Sequence, residues 1–307
     1  MYKKFFGLRE NPFNINPDPR FLYPTRDMEE ALACLTYGIQ KRKGYILLTG
    51  EVGTGKTMLL RKLLDWLHRE RAATAFIFNS RLNVTQFLDF MMADFGLTCE
   101  SRLKSQILLR LNHWLLERYR AGETAVLIVD EAQNLSRQVL EEIRLLTNLE
   151  TNTQKLLQIV LSGQPELEQT LNHPELRQLR QRITLRCKLQ PLTLEEAVGY
   201  INERLRIAGA DSEPIFTQEA IQAVHSHGRG IPRLINLLCE HALVNAYVDQ
   251  RRPVSAETVK QVAREFVLDS VDPTLRPPLP MEGGEDSRAT EALRTMVSLV
   301  QRLRQND

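Results

Sequence analysis

Gly50-Glu51-Val52-Gly53-Thr54-Gly55-Lys56-Thr57 stands between an apolar run, Tyr45–Thr49, and a stretch in which Met58, Leu59, Leu60, Leu63, Leu64 and Leu67 recur at helical spacing. Strand, glycine-rich loop and helix in that order make the P-loop pattern. The glycines let backbone N–H groups turn toward an anion, and the helix N-terminus adds the positive end of its dipole. Lys56 occupies the place that bridges β- and γ-phosphates, and Thr57 the place whose hydroxyl ligates Mg²⁺. Gly50 through Met58 are therefore candidate nucleotide contacts. The alternative, a glycine-rich turn with no ligand, does not account for the strand and helix on either side.

Working outward, short apolar runs alternate with amphipathic stretches from Gly44 to Leu189. Strands are expected at Tyr45–Thr49, Thr74–Asn79, Ala125–Asp130, Leu156–Ser162 and Ile183–Leu189. Helices are expected at Thr57–Arg69, Val84–Phe95, Leu103–Tyr119 and Arg137–Glu150. Continuous apolar strands separated by helices imply a parallel sheet sandwiched by helices. After Pro191 only helical patterns remain, at Leu192–Ala208, Thr217–His227, Ile231–Tyr247 and Ser255–Phe266. The expected organisation is a lead-in and first helix packed on the core (1–43), a nucleotide-binding domain (44–190) and a helical lid (191–267). A proline-rich linker (268–287) and a C-terminal amphipathic helix (288–307) follow. In residues 2–24 four prolines argue against regular helix, and six aromatics against a floppy tail.

The 307 residues carry 40 Lys+Arg against 38 Asp+Glu, a formal charge of +2, which argues against a histone-like or tail-driven nucleic-acid binder. No apolar run approaches the 18 or so residues of a spanning helix, and no signal-peptide core follows Met1. Cys34, Cys99, Cys187 and Cys239 form no CxxC pair, so a cytoplasmic location fits.

Ala125–Val129 ends in Asp130-Glu131, two acids at the sheet edge where open α/β sheets bind ligands. Asp130 is the candidate Mg²⁺ ligand beside Thr57, and Glu131 the candidate base for the attacking water. After Leu156–Ser162, either Ser162 or Gln164 is placed to meet a γ-phosphate or that water. The alternative there is a turn built on Gly163 and Pro165. Residues 177–188 hold Arg177, Arg180, Arg182, Arg186 and Lys188 without an acid. They read as a nucleic-acid patch, a solvated face or an arginine finger acting in trans, and their place before the last strand favours the finger. Arg233 opens a helix after Gly228-Arg229-Gly230-Ile231-Pro232, where a cation opposes the helix dipole and an anion would explain it. His225, His227, Cys239 and His241 lie at spacings that share no helix face, so no metal site is expected from them.

Together these residues resemble the AAA+ ATPases, and within them the general secretion pathway protein A family and its relatives at exopolysaccharide and pilus loci. The resemblance rests on Phe6-Gly7-Leu8, Asn11-Pro12-Phe13, Pro17–Tyr23, Gly50–Thr57, Val129–Leu135, Gly163–Leu167, Leu179–Ile183 and Gly230–Asn236. It implies that Lys56 and Thr57 belong to Walker A, Asp130 and Glu131 to Walker B, Gln164 to sensor 1 and Arg233 to sensor 2. Arg182, or else Arg180, takes the finger position, and Pro17–Tyr23 borders the adenine. The implied cofactors are ATP and Mg²⁺. The implied assembly is a homo-oligomer, a hexamer or open ring, recruited to the inner membrane by a secretion or envelope partner. A DNA-associated switch is the alternative, with no winged-helix module read after the lid. No peptidoglycan-binding domain is read there either.

Overall fold

The fold is described from a computed structural model covering residues 1–14, 18–78, 82–98, 103–211 and 213–266. These fall in one contact unit, Met1–Asp269. The expected linker and C-terminal helix lie outside the described residues.

Five parallel strands form one sheet in the order β2-β3-β4-β1-β5. They are β1 (Tyr45–Gly50), β2 (Ala73–Ile77), β3 (Ala125–Val129), β4 (Leu157–Gly163) and β5 (Ile183–Leu189). In register, Thr49 of β1 faces Gly163 of β4, and Val129 of β3 faces Leu161 of β4. β4 therefore lies between the P-loop strand and the strand ending at Asp130. The helices that precede or follow these strands are α1 (Tyr2–Phe5), α2 (Arg26–Gln40), α3 (Lys56–Arg69), α4 (Val84–Asp94), α5 (Lys104–Arg120), α6 (Arg137–Leu146), α7 (Pro165–Leu171) and α8 (Arg177–Arg182). The helical domain holds α9 (Leu194–Ile207), α10 (Gln218–Gly228), α11 (Pro232–Val248) and α12 (Ala256–Glu265).

Alternation along the strands assigns the two faces. Leu47, Leu127, Ile159 and Leu161 pack with Phe87, Leu111, Val139 and Ile143 of α4, α5 and α6. Ile46, Leu48, Val126, Ile128 and Val160 pack with Leu35 of α2 and Leu59, Leu60 and Leu63 of α3. β1, β3 and β4 are buried throughout, so their sequences read as continuous apolar runs. The Phe76 amide of edge strand β2 is covered by the Asp94 carboxylate at the end of α4, which blunts that edge.

Four details depart from expectation. Residues 2–5 make one helical turn, because the first proline comes only at Pro12. α6 ends at Leu146 rather than Glu150, since Thr147 closes back on the Arg144 carbonyl. The short helices α7 and α8 had no expectation. Finally, the lead-in is divided: Leu22 packs with α2 on the sheet side. Phe6, Leu8, Phe13 and Phe21 are buried instead in the helical domain, against the stripe Ala197, Tyr200, Ile201, Leu205 of α9 and Leu238 and Leu243 of α11. Those helices have no sheet to cover them, and the aromatics of the lead-in supply the missing apolar wall.

Candidate active site

The loop after β1 wraps around the start of α3. Gly55 is the cap of that helix at φ +102°, and Gly53 sits at φ +84°. Both angles lie in the left-handed region that a Cβ disfavours. Gly53 meets a second demand, for a Cβ there would lie 2.6 Å from Cβ of Arg233. The Arg233 amide also donates to the Gly53 carbonyl at 3.3 Å. The first turn of α11 thus rests directly on the P-loop.

Lys56 is only 5% exposed, and its ammonium donates to the carbonyls of Gly50 (2.8 Å) and Glu51 (3.0 Å). Burial lowers its pKa from the ordinary lysine value, opposed by the negative charges of Glu131 and Asp130. Gly50 and Glu51 therefore turn their carbonyls inward to the lysine. Val52, Gly53, Thr54, Gly55, Lys56, Thr57 and Met58 line a cavity of about 420 Å³.

Asp130, 4% exposed, is held on both oxygens. Oδ1 accepts from the Ser162 hydroxyl at 2.8 Å and the Glu131 amide at 3.0 Å, and Oδ2 accepts from the Thr57 hydroxyl at 3.0 Å. Of the two candidates after β4, the fully buried Ser162 thus serves to orient Asp130. Gln164 reaches Glu131 instead, its Nε2 donating to Oε2 at 3.2 Å. Glu131 lines the cavity with its backbone in the left-handed region, φ +53°. For a residue with a Cβ that conformation costs on the order of 1 kcal/mol or more. The kink folds the next turn back, so that Gln133 Nε2 also donates to Glu131 Oε2.

The far wall comes from the lead-in (Phe21, Leu22, Tyr23) and the lid (Tyr200, Arg204, Asn236), with Arg233 beside the P-loop. Arg204 is 7% exposed; its Nε donates to the Pro12 carbonyl at 2.6 Å and its Nη1 to the Tyr200 hydroxyl at 3.0 Å. Its guanidinium stacks on Phe21, 4.8 Å from the ring centre. The Tyr200 hydroxyl in turn donates to Asn236 Oδ1 at 2.9 Å. The sequence reading missed these three residues. A signal existed for Arg204, since a cation sits on the stripe Ala197, Tyr200, Ile201, Leu205, Ala208 where only apolar residues are expected. Gln133 had no pattern to mark it.

Neither finger candidate lines this cavity. Arg182 donates to the Arg144 carbonyl at 3.2 Å, to Asn148 Oδ1 at 2.8 Å and to the Thr147 hydroxyl, closing the C-terminal end of α6. Arg180 donates to Asn172 Oδ1 at 2.9 Å. His225 contacts the Leu192 carbonyl at 2.9 Å, and His241 packs edge-on against Phe266.

The donor set suits a polyphosphate with a hard divalent cation. A buried ammonium donates to its own loop's carbonyls, the loop leads straight into a helix N-terminus, and a hydroxyl and carboxylate meet 3.0 Å apart. The family model of an AAA domain matches residues 39–171, the span from the end of α2 to the end of α7. General secretion pathway protein A of Aeromonas hydrophila is 48% identical over 248 residues, 80% of this chain and 45% of its own length. The chain carries an AAA domain and is similar to general secretion pathway protein A. It spans about half the length of that relative. The AAA+ fold recurs in the ORC2 protein of Aeropyrum pernix, in its ADPNP-ADP complexes, with TM-score 0.60 and 15% identity over 86% of this chain and 75% of that one. Cdc6p of Pyrobaculum aerophilum gives TM-score 0.62 and 19% identity over 85% and 74%. Drosophila ORC bound to DNA gives 0.63 and 20% over 83% and 64%. At these identities the likeness is one of fold. Among the described residues no helix is long and apolar enough to cross a membrane.

Proposed function

We propose that this AAA+ chain hydrolyses ATP with Mg²⁺ and uses the cycle to drive assembly or remodelling of a secretion or cell-envelope partner. The observation that carries the reading is the convergence of Lys56, the Thr57–Asp130 pair and the Glu131–Gln164 pair at one sheet edge, under the first turn of the lid. Lys56 and the P-loop amides hold the phosphates, and Thr57 and Asp130 hold the metal. The metal, when bound, neutralises charge on the phosphate oxygens. Glu131 takes the proton of the attacking water as its oxygen bonds to the γ-phosphorus and the bond to the ADP oxygen breaks. Arg233, seated on Gly53, links the lid to whatever occupies the P-loop. Leu22 and Tyr23 border the base.

The secretion assignment rests on the relative's name and on nearly half of the aligned residues being identical. The chain works as a homo-oligomer, a hexamer or open ring, on the cytoplasmic side, and its partner recruits it to the inner membrane. Of the two finger candidates on α8 we assign the trans-acting role to Arg180. Arg182 is already engaged by three acceptors of its own chain. The test is ATP turnover of the wild type against Glu131→Gln. Loss of turnover with nucleotide binding retained is expected. Wild-type turnover in the variant would overturn the assignment of Glu131.

A further inference from the structure

Glu131 is held by two amides, and the second of them, Gln133, has no part in the reading above. Gln133 lies in the single turn Ala132–Asn134 that follows the left-handed Glu131. Its Oε1 accepts the backbone N–H of Gln164 at 3.1 Å. A backbone N–H can only donate, so this bond fixes which way the carboxamide points and aims its NH₂ at Glu131. There it donates to Oε2, the oxygen that also accepts from Gln164 Nε2. A closed circuit results: Glu131 to Gln133, Gln133 to the Gln164 backbone, and the Gln164 side chain back to Glu131. It ties the end of β3 to the end of β4. Space is reserved for it, because a Cβ at Gly163 would lie 2.8 Å from Gln133 Oε1. Among the described residues no group donates to Glu131 Oε1.

We infer that Gln133 is a positioning residue for ATP hydrolysis. It occupies Oε2 of Glu131, leaving Oε1 as the oxygen that receives the proton, and it makes the orientation of that carboxylate depend on Gln164. The inference rests on the reading of Glu131 as the base. A carboxylate with both oxygens unrestrained rotates among hydrogen-bonding poses, and a base acts only from within hydrogen-bond reach of the proton it takes. Two donors on one oxygen remove that freedom. Because Gln133 also holds the Gln164 amide, a movement of the β4 end is passed to Glu131 through two bonds.

The experiment compares wild type, Gln133→Leu, Gln133→Glu, Glu131→Gln and the double variant Glu131→Gln/Gln133→Leu. Turnover is measured at saturating ATP, the Kd of ADP is measured by titration, and each fold is checked by thermal melting. Gln133→Leu should lower kcat on the order of 10-fold, as loss of an outer-shell partner does, with the Kd of ADP within about twofold of wild type. In Gln133→Glu the length is kept, but a carboxylate faces Glu131 in a surrounding already charged by Asp130 and Lys56. A carboxylate cannot donate to Glu131 Oε2, so kcat should fall at least as far as in Gln133→Leu, again with the Kd of ADP within about twofold of wild type. On the Glu131→Gln background Gln133→Leu should cost nothing further, since the two act as one unit. Wild-type kcat in the folded Gln133 variants would overturn the inference while leaving Glu131 as base. So would an equal cost of Gln133→Leu with and without Glu131. Wild-type turnover in Glu131→Gln would instead overturn the base reading, and this inference with it.

Discussion

Gly53→Ala tests whether the lid rests on the P-loop in the way the contacts indicate. The added Cβ would lie 2.6 Å from Cβ of Arg233 and 3.2 Å from Cγ2 of Ile231. Ordinary contact begins near 3.4 Å, so the gap to Arg233 must open by about 0.8 Å. A Cβ cannot swing away as a side-chain tip can, so the start of α11 has to lift. Alanine at φ +84° adds a backbone cost of roughly 1–2 kcal/mol. The crowding adds roughly 1–3 kcal/mol if the lid stays down. Gly122→Ala is the control. Gly122 has φ +75° and nothing within 4 Å of an added Cβ, so it carries the backbone cost alone. Each kcal/mol shifts Tm by about 2–4 °C in a chain of this size. Gly122→Ala should lose only the backbone share and bind ADP as the wild type does. Gly53→Ala should melt lower than Gly122→Ala or, if the lid lifts instead, bind ADP weaker by roughly tenfold, the equivalent of 1.4 kcal/mol. Adding Arg233→Gly to Gly53→Ala removes the opposing Cβ and should restore the melting temperature to that of Arg233→Gly with the backbone cost alone. If Gly53→Ala and Gly122→Ala match in both Tm and ADP affinity, the lid does not bear on Gly53.

Three further outcomes are expected. Arg204→Met keeps the apolar stem but loses the charged bond to the Pro12 carbonyl, a loss of roughly 1.5–3 kcal/mol; limited proteolysis should then cut within the lead-in faster than in wild type, and unchanged protection would refute the clamp. Arg182→Ala should lower Tm, because the end of α6 loses its donor, while Arg180→Ala should leave Tm nearly unchanged and abolish the rise of specific ATPase activity with protein concentration; the reverse pattern would return the trans role to Arg182. Glu240 accepts from Tyr2 and Asn11, yet burial holds its pKa above the ordinary glutamate value. A carboxyl group raised in the folded state favours folding when protonated, so its contribution is fullest at pH below about 4.5 and is lost as pH rises through the folded value. Glu240→Gln should therefore raise Tm at pH 7 more than at pH 4, as read by melting at the two pH values.

The sheet was legible because its central strands are buried on both faces, which writes them as unbroken apolar runs, and observed and expected ends differ by two residues at most. The P-loop and the two acids stand where the sequence placed them, directly after β1 and β3, because each follows an apolar run that could be read. The short helices were not. α8 is Arg-Gln-Leu-Arg-Gln-Arg, with Leu179 alone buried, so it has no stripe to read. The lead-in was recognisable as packed, but an aromatic side chain does not say which apolar wall it will meet, and the wall proved to be the lid. Arg182 shows the other limit. Its acceptors at Arg144, Thr147 and Asn148 lie more than thirty positions away, so nothing near it in the chain marks the cap it makes on α6.

The same contacts bear on how a nucleotide signal would leave the site. Arg233 rests on Gly53, and α11 shares one core with α9 and with Phe6, Leu8, Phe13 and Phe21 of the lead-in. Arg204 adds a charged bond across that core, and Tyr2 and Asn11 add two more to Glu240 of α11. Lid and lead-in therefore share one core, and Phe21, Tyr23 and Tyr200 of the far wall belong to it, while Leu22 packs on the sheet side. The basic residues of β5 are placed differently. Arg186 and Lys188 alternate outward, exposed on the sheet-edge strand. A partner that senses nucleotide should bind the lid and lead-in. Duplex DNA drawn to β5 by charge alone would bind with a steep salt dependence and show no response to Gly53→Ala.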